Sequence, residues 1–190
     1  MSRIAAPSSP GPLNRVALAY ARRRFGKVPE PFLLKSVSRR VFWSDVRYEM
    51  SVDRGWTAVP PRLRELAVLR SAQTIGCHWC VDFVSRLSLD RGLAPEALAA
   101  LPNWPDSPMF DATDRAVLGY AEAMSTTPPT VTDEHVRALQ VHLDDRQVVE
   151  LTALIGLENA RARFNDALGV VSQDFCAVPG APVRASSPSA

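Results

Sequence analysis

The chemistry available to this chain is concentrated in Cys77-His78-Trp79-Cys80. Two thiols three positions apart can close into a disulfide with little backbone movement. A thiolate attacks a peroxide oxygen or a disulfide sulfur, after which the neighbouring thiol resolves the product. At a helix start the same pair faces unpaired backbone N–H groups, whose partial positive charge favours the thiolate. His78, between the two, either adds positive charge or a proton, or is an exposed loop histidine. Two other readings compete: cysteine as a small buried hydrophobe, and half of a zinc site. The zinc reading needs two further ligands, and His135, His142 and Cys176 show no closely paired spacing, so no metal is expected. A thioredoxin-like fold is disfavoured, because its C-x-x-C follows a β-strand and no strand pattern lies upstream.

The rest of the composition bounds where such chemistry operates. At 190 residues and 46% hydrophobic, the chain is sized for one domain with an ample core. That domain is expected over 13–177, with 1–12 and 178–190 as disordered tails, since both ends are rich in Pro, Ser, Gly and Ala without apolar period. The formal net charge of +2, with basic residues interleaved among acidic ones, offers no concentrated field for phosphate, so nucleic acid is not an expected partner. No apolar run approaches the roughly 18 to 20 residues of a membrane-spanning helix. The longest, 148–156, is broken by Glu150, and no secretory apolar region precedes Arg22, so no membrane partner is expected and the cytoplasm is the expected location. In a reducing compartment a lone C-x-x-C, with Cys176 standing apart, reads as redox-active.

Helical periodicity recurs along the chain, and no segment alternates as a strand for more than a few residues, so the fold is predicted to be all-α. Helices are expected over 13–25 and 31–46. The next is clearer: in 61–74, Pro60 and Pro61 suit a first helical turn, Leu63, Leu66, Ala67, Leu69 and Ala72 form an apolar stripe, and Gly76 is a stop. A second helix then starts near Cys77 with Phe83, Val84 and Leu87 inward and ends at Gly92, making a helical hairpin around Gly76. Further helices are predicted over 93–101, 114–124, 134–142 and 144–168, the last closed by Gly169.

Residues 61–92, PRLRELAVLRSAQTIGCHWCVDFVSRLSLDRG, resemble the core motif of carboxymuconolactone decarboxylase/alkylhydroperoxidase-D-like proteins: a Glu in an apolar helix, a C-x-x-C about one helix later, then a helix ending at Gly. Residues 109–169 are similar to the second half of many members. The resemblance implies a compact all-α domain of the alkylhydroperoxidase-D-like type and assembly as a homo-oligomer. It also implies a thiol-based peroxidase activity on a peroxide or disulfide substrate, with no organic cofactor and an unidentified thiol reductant. By analogy Cys80 is the attacking thiol, Cys77 the resolving one, and Glu65, twelve residues before Cys77, the relay glutamate. The family's relay histidine does not carry over: four residues after Cys80 stands Val84, which can neither take nor give a proton.

Spacing alone leaves several roles open. His78 is a candidate replacement for the relay, whereas Asp82, two residues after Cys80, lies off that helix face. Glu65 is either an ordinary surface acid pairing with Arg62 or Arg64, or a buried functional group. Trp79, Phe83 and Trp104 either line an apolar pocket or belong to the core. The polar run 158–165 reads as structural, with Asn159 and Arg163 four apart and able to pair, and an anion-binding role as the alternative. Two other activities remain: a cofactor-free lactone-decarboxylase-like lyase, against which the cysteine pair speaks, and a non-catalytic helical oligomer, for which Val84 speaks.

Overall fold

The computed structural model describes residues 2–176, so the expected tail 178–190 lies outside the described residues. Nine α-helices and one short 3₁₀ turn, without a β-strand among the described residues, follow in order. They are α1 (Pro12–Phe25), α2 (Glu30–Lys35), α3 (Arg39–Gly55), α4 (Pro61–Ile75), α5 (His78–Asp90), α6 (Pro95–Ala100), α7 (Ala112–Ser125), α8 (Asp133–Gln140) and α9 (Asp145–Ala167). No helix among them is long and apolar enough to cross a membrane.

Helix α4 is the centre. It packs against α7, α9 and α5, and buries residues all round its circumference, including Leu66, Ala67, Leu69, Ser71 and Ala72. Such a helix must satisfy its polar groups internally, and Ser71 does so by donating to the Ala67 carbonyl (2.8 Å). One face of α4 joins Leu101, Leu118 and Leu154, and the other joins Val117, Leu139, Leu151 and Ile155. A third apolar cluster gathers Ala72, Trp79, Ala162 and Phe175 around the two cysteines.

The expected helix 31–46 is two helices. The Ser36–Ser38 stretch breaks it: Ser36 Oγ donates back to the Leu33 carbonyl (2.7 Å), and Ser38 caps α3 by accepting from the Val41 N–H (3.5 Å). Hydroxyls that bond their own backbone compete with helix continuation and favour its ends. Helix α3 then runs to Gly55, beyond the expected end at 46, and buries only Phe42 and Val52. The segment 2–11, expected to be structureless, holds no helix but is tied down at one point. The Arg3 N–H donates to the Leu168 carbonyl (2.7 Å) and its guanidinium to those of Asp166 (2.9 Å) and Ala167 (2.7 Å), a cation satisfying the open end of α9.

Residues 170–176 form a strap across α5. Asp82, which spacing placed off the cysteine face, accepts there from Ser172 Oγ (2.8 Å), the Gln173 N–H (3.0 Å) and the Cys176 N–H (2.8 Å). Gln173 in turn accepts from Trp79 Nε1 (2.8 Å) and the Glu30 N–H (2.7 Å), so the strap knits the α1–α2 connection to the start of α5. Its Phe175 packs edge-on against Phe83, ring centroids 5.0 Å apart. Replacing Asp82 with Ala removes three charge-assisted bonds at a half-buried site and is expected to cost about 2 kcal/mol. The urea midpoint and proteolytic sensitivity of 170–176 report it; a variant with unchanged midpoint and cleavage would show that the strap holds without Asp82.

Candidate functional site

The site starts from the reversal between α4 and α5. Gly76 takes a left-handed conformation (φ 81°), which only glycine adopts at little cost, and lets its own N–H and that of Cys77 return to the Ala72 carbonyl. The chain re-enters a helix at once, with Cys77 as the N-cap of α5 and its Sγ accepting from the Cys80 N–H (3.2 Å). The two cysteines are joined as a disulfide with Cα atoms 5.2 Å apart. Both lie at the positive end of α5, where a thiolate is favoured after reduction.

Cys80, 1% exposed, lies on the wall of a cavity of about 240 Å³, whereas Cys77 sits behind it and does not line the space. The cavity separates two layers of the molecule. Helices α1, α2 and α3 form one side, with Phe25, Phe32 and Val52; α4, α5 and α9 form the other, with Val68, Val84 and Leu154. On α5 the lining follows helical period from Cys80 through Val84 to Leu87, so Val84 occupies the wall one turn after the cysteine. Trp79 and Phe83 also line it, stacked with ring centroids 4.8 Å apart. Trp104 does not: it donates from Nε1 to Glu122 (3.0 Å) and packs into the main core.

Of the residues singled out by sequence, the structure brings Glu65 to the cavity and leaves His78 outside. Glu65 is buried, with Oε2 accepting from Ser88 Oγ (2.6 Å) and Oε1 from Arg91 Nη1 (2.8 Å). Its partners are therefore not Arg62, which pairs with Asp114 (2.7 Å), or Arg64, which approaches Glu150 (3.9 Å). His78 is exposed at the first turn of α5 and does not line the cavity, because the residue after Cys77 projects away from the face that carries Cys80.

Two residues of α9 belong to this site and were assigned a structural role from sequence. Asn165, 2% exposed, donates from Nδ2 to Cys80 Sγ (3.4 Å) and lies 3.8 Å from Cys77 Sγ, placing a hydrogen-bond donor where a thiolate charge would develop. Glu158, 1% exposed, accepts on Oε2 from Arg161 (3.2 Å). Glu158 Oε1 and Asn165 Oδ1 have no hydrogen-bond partner among the described residues, and both residues line the cavity. Arg161 is clamped by Glu49, through Nε (2.9 Å) and through a second contact from Nη2. Burial pushes the Glu158 carboxyl up to about 7, against the pull of Arg161. Burial opposes the Arg161 charge as well, yet Glu49 and Glu158 hold the guanidinium above its ordinary range.

A readable signal existed: Leu151, Leu154, Ile155, Glu158, Ala162 and Asn165 are the buried residues of α9, so its apolar stripe runs straight through two polar positions. Asn159 and Arg163 do not pair with one another. They donate instead to Ser125 Oγ (2.9 Å) and Thr127 Oγ1 (2.8 Å), fastening α9 to the end of α7.

Because the folded state raises the Glu158 pKa from 4.5 to about 7, the stability tied to its neutral form is complete below about pH 4.5 and lost as pH rises through about 7. Glu158→Gln is expected to remove that decline, which for a fully buried group is on the order of 3 kcal/mol. Urea unfolding at pH 5 and pH 8 measures it: the variant should gain on wild type at the higher pH, and parallel losses in both proteins would show that Glu158 is not the titrating group.

Residues 40–123 match the carboxymuconolactone decarboxylase family. Across nearly its full length the chain is similar to the uncharacterized protein YnjA of Escherichia coli (strain K12), 37% identical over 182 residues, covering 88% of this chain and 96% of that one. Two solved structures share the fold at 18% identity. The alkylhydroperoxidase AhpD core from Ralstonia eutropha JMP134, an uncharacterized peroxidase-related protein, superposes with a TM-score of 0.80 over 92% of this chain and 94% of that one. The debrominase Bmp8 does so with a TM-score of 0.79 over 92% of each chain, and a variant of it has been solved with 2,3,4-tribromopyrrole. With the α4–α5 cysteine hairpin, the all-helical architecture and near-full-length similarity to YnjA, this chain belongs to the carboxymuconolactone decarboxylase family and has its alkylhydroperoxidase-D-like fold.

Proposed function

We propose that the protein is a thiol–disulfide oxidoreductase that reduces a hydroperoxide at Cys80 and resolves through Cys77. The observation that carries this reading is the position of Cys80: it pairs with Cys77 at the start of α5 and alone of the two lines the cavity, with the Asn165 amide donating to its sulfur. In the reduced protein the Cys80 thiolate attacks the peroxide, forming a sulfenic acid and releasing an alcohol. The Cys77 thiol then displaces water to give the disulfide, so two thiols are oxidised for each peroxide reduced. An external dithiol returns the pair to the reduced form by exchange.

In this reading His78 has no part, since it is exposed and outside the cavity. Glu65 serves to hold the wall: both of its oxygens are engaged, by Ser88 and by Arg91. Peroxide-related names among proteins of the same fold support the class of chemistry. A lactone-decarboxylase-like reaction has no evident use for a dithiol.

The aromatic wall of Phe25, Trp79 and Phe83 favours a second reading on the same dithiol, reduction of an aromatic halide, in line with the debrominase fold relative. There the carbon–halogen bond breaks, carbon gains hydrogen, halide leaves and the two thiols become a disulfide. Mass spectrometry of alkylated peptides separates the outcomes. Reduced protein exposed to one equivalent of organic hydroperoxide is expected to form the Cys77–Cys80 disulfide, Cys77→Ser to stop at Cys80 sulfenic acid, and Cys80→Ser to lose turnover by at least about 10²-fold. Disulfide formation with a bromopyrrole and not with peroxide would favour the halide reading. Equal single-turnover rates in the two serine variants would refute both.

A further inference from the structure

We infer that Glu158 on α9 is the acid–base group of the Cys80 site, taking the thiol proton and returning it to the departing oxygen of the substrate. The inference rests on the peroxide-reducing reading of Cys80 and supplies what α5 lacks. Along the cavity face of α5 the residues that follow Cys80 are Val84 and Leu87, neither of which can move a proton.

Four carboxylates line the cavity, and their partners separate them. On α3, both oxygens of Glu49 are engaged by Arg161, and Asp53 faces Arg91 (3.4 Å) with a largely exposed side chain. On α4, Glu65 is held by Ser88 and Arg91. Glu158 alone has a fully buried oxygen, Oε1, with no partner among the described residues. A buried acceptor left open in this way is costly unless something arriving in the cavity satisfies it.

The surrounding cations do not lock Glu158 in its charged form. Lys35 on α2 pairs with Asp45, Arg64 on α4 leans toward Glu150, and Arg24 on α1 sits over the Phe25 ring (5.4 Å). Arg161, which bonds Glu158, makes its bidentate contact with Glu49. The carboxyl therefore titrates in the neutral range, about 7, where a group that must both accept and donate works best.

Asn165 and Glu158 lie seven residues apart, two turns along one face of α9 and about 10 Å of rise, with Asn165 at the sulfur. Both oxygens of a hydroperoxide at Cys80 stay near the sulfur, so proton exchange with Glu158 runs through water in the cavity. Cys80 loses its proton through water in the cavity to the Glu158 carboxylate. The thiolate attacks the terminal oxygen of an organic hydroperoxide, the S–O bond forms and the O–O bond breaks, so sulfur is oxidised and peroxide reduced. The departing alkoxide takes a proton back from Glu158 along the same water and leaves as the alcohol, with Glu158 again a carboxylate. The Cys77 thiol then attacks the sulfenic sulfur, S–S forms, S–O breaks, and the Cys77 proton leaves with the hydroxide as water.

The test uses the reduced full-length protein and two readouts across pH 5 to 9: alkylation of Cys80 by iodoacetamide, and single-turnover oxidation by cumene hydroperoxide in a Cys77→Ser background. Wild type should show an inflection near pH 7 in both. Glu158→Gln, an isostere that still accepts from Arg161, should lose that inflection and slow peroxide oxidation by about 10²-fold, and Glu158→Asp should restore the inflection. Circular dichroism confirms that each variant is folded; if the glutamine variant is not, Glu158→Asp carries the test by moving the pH of the inflection, which titration of any other group would leave in place. Retention of both inflection and rate in Glu158→Gln overturns the assignment of Glu158. If the alkylation inflection depends on Glu158 while peroxide leaves wild-type Cys80 unoxidised, Glu158 stands as the proton partner of Cys80 and the peroxide reading falls.

Discussion

The reversal at Gly76 is the constraint from which the site follows. A helix advances about 100° per residue, so the residue at which α5 begins decides which side chains face the cavity. The left-handed turn at Gly76 ends α4 with the Ala72 and Gln73 carbonyls satisfied and leaves Cys77 outside the next helix as its cap. Cys80 then points to the cavity, Val84 follows one turn on, and His78 is turned to solvent. A start shifted by one residue would bring Trp79 or Val81 into the place of the Cys80 sulfur. The hairpin joins α4 to α5, one of the helices packed on it, so its geometry is set by the core and not by the loop.

Opposite the hairpin stands α9, a helix in which two buried polar residues interrupt an otherwise apolar stripe. Burying a carboxylate and an amide with an unsatisfied oxygen on each works against stability, and apolar residues of similar size would fill the same space without that cost. Local departures of this kind, grouped around one cavity and one cysteine pair, support a functional centre over a structural one. The Glu49–Arg161–Glu158 arrangement joins α3 to α9 across the cavity, so the same charges that shape the pocket also brace its two sides.

Much of this was legible in the chain. The stripe of 61–74, the stop at Gly76 and the cysteine pair at the following helix start are local features, and local periodicity and turn chemistry read them directly. The burial of Glu65 could be argued from its apolar neighbours, though its partner Arg91 could not, because it comes from 26 residues away. The break at Ser36–Ser38 was hidden by apolar spacing that continues through it, and the reach of α3 by the scarcity of buried residues on that helix. The parts of the site on α9 are separated from Cys80 by about 80 residues, and nothing local says which face of α9 meets α5. Asn165 at the sulfur and Glu158 in the cavity became visible only when tertiary packing brought the two helices together.

The central claim is that Cys77–Cys80 is a working redox couple and not a structural staple. Equilibration of the protein in graded dithiothreitol or glutathione buffers, followed by trapping of free thiols, gives its reduction potential. A pair that opens onto a cavity at a helix amino terminus is predicted to lie within the span of about −270 to −120 mV occupied by thioredoxin-like and related catalytic dithiols. A value below about −300 mV, where structural disulfides sit, would contradict the account.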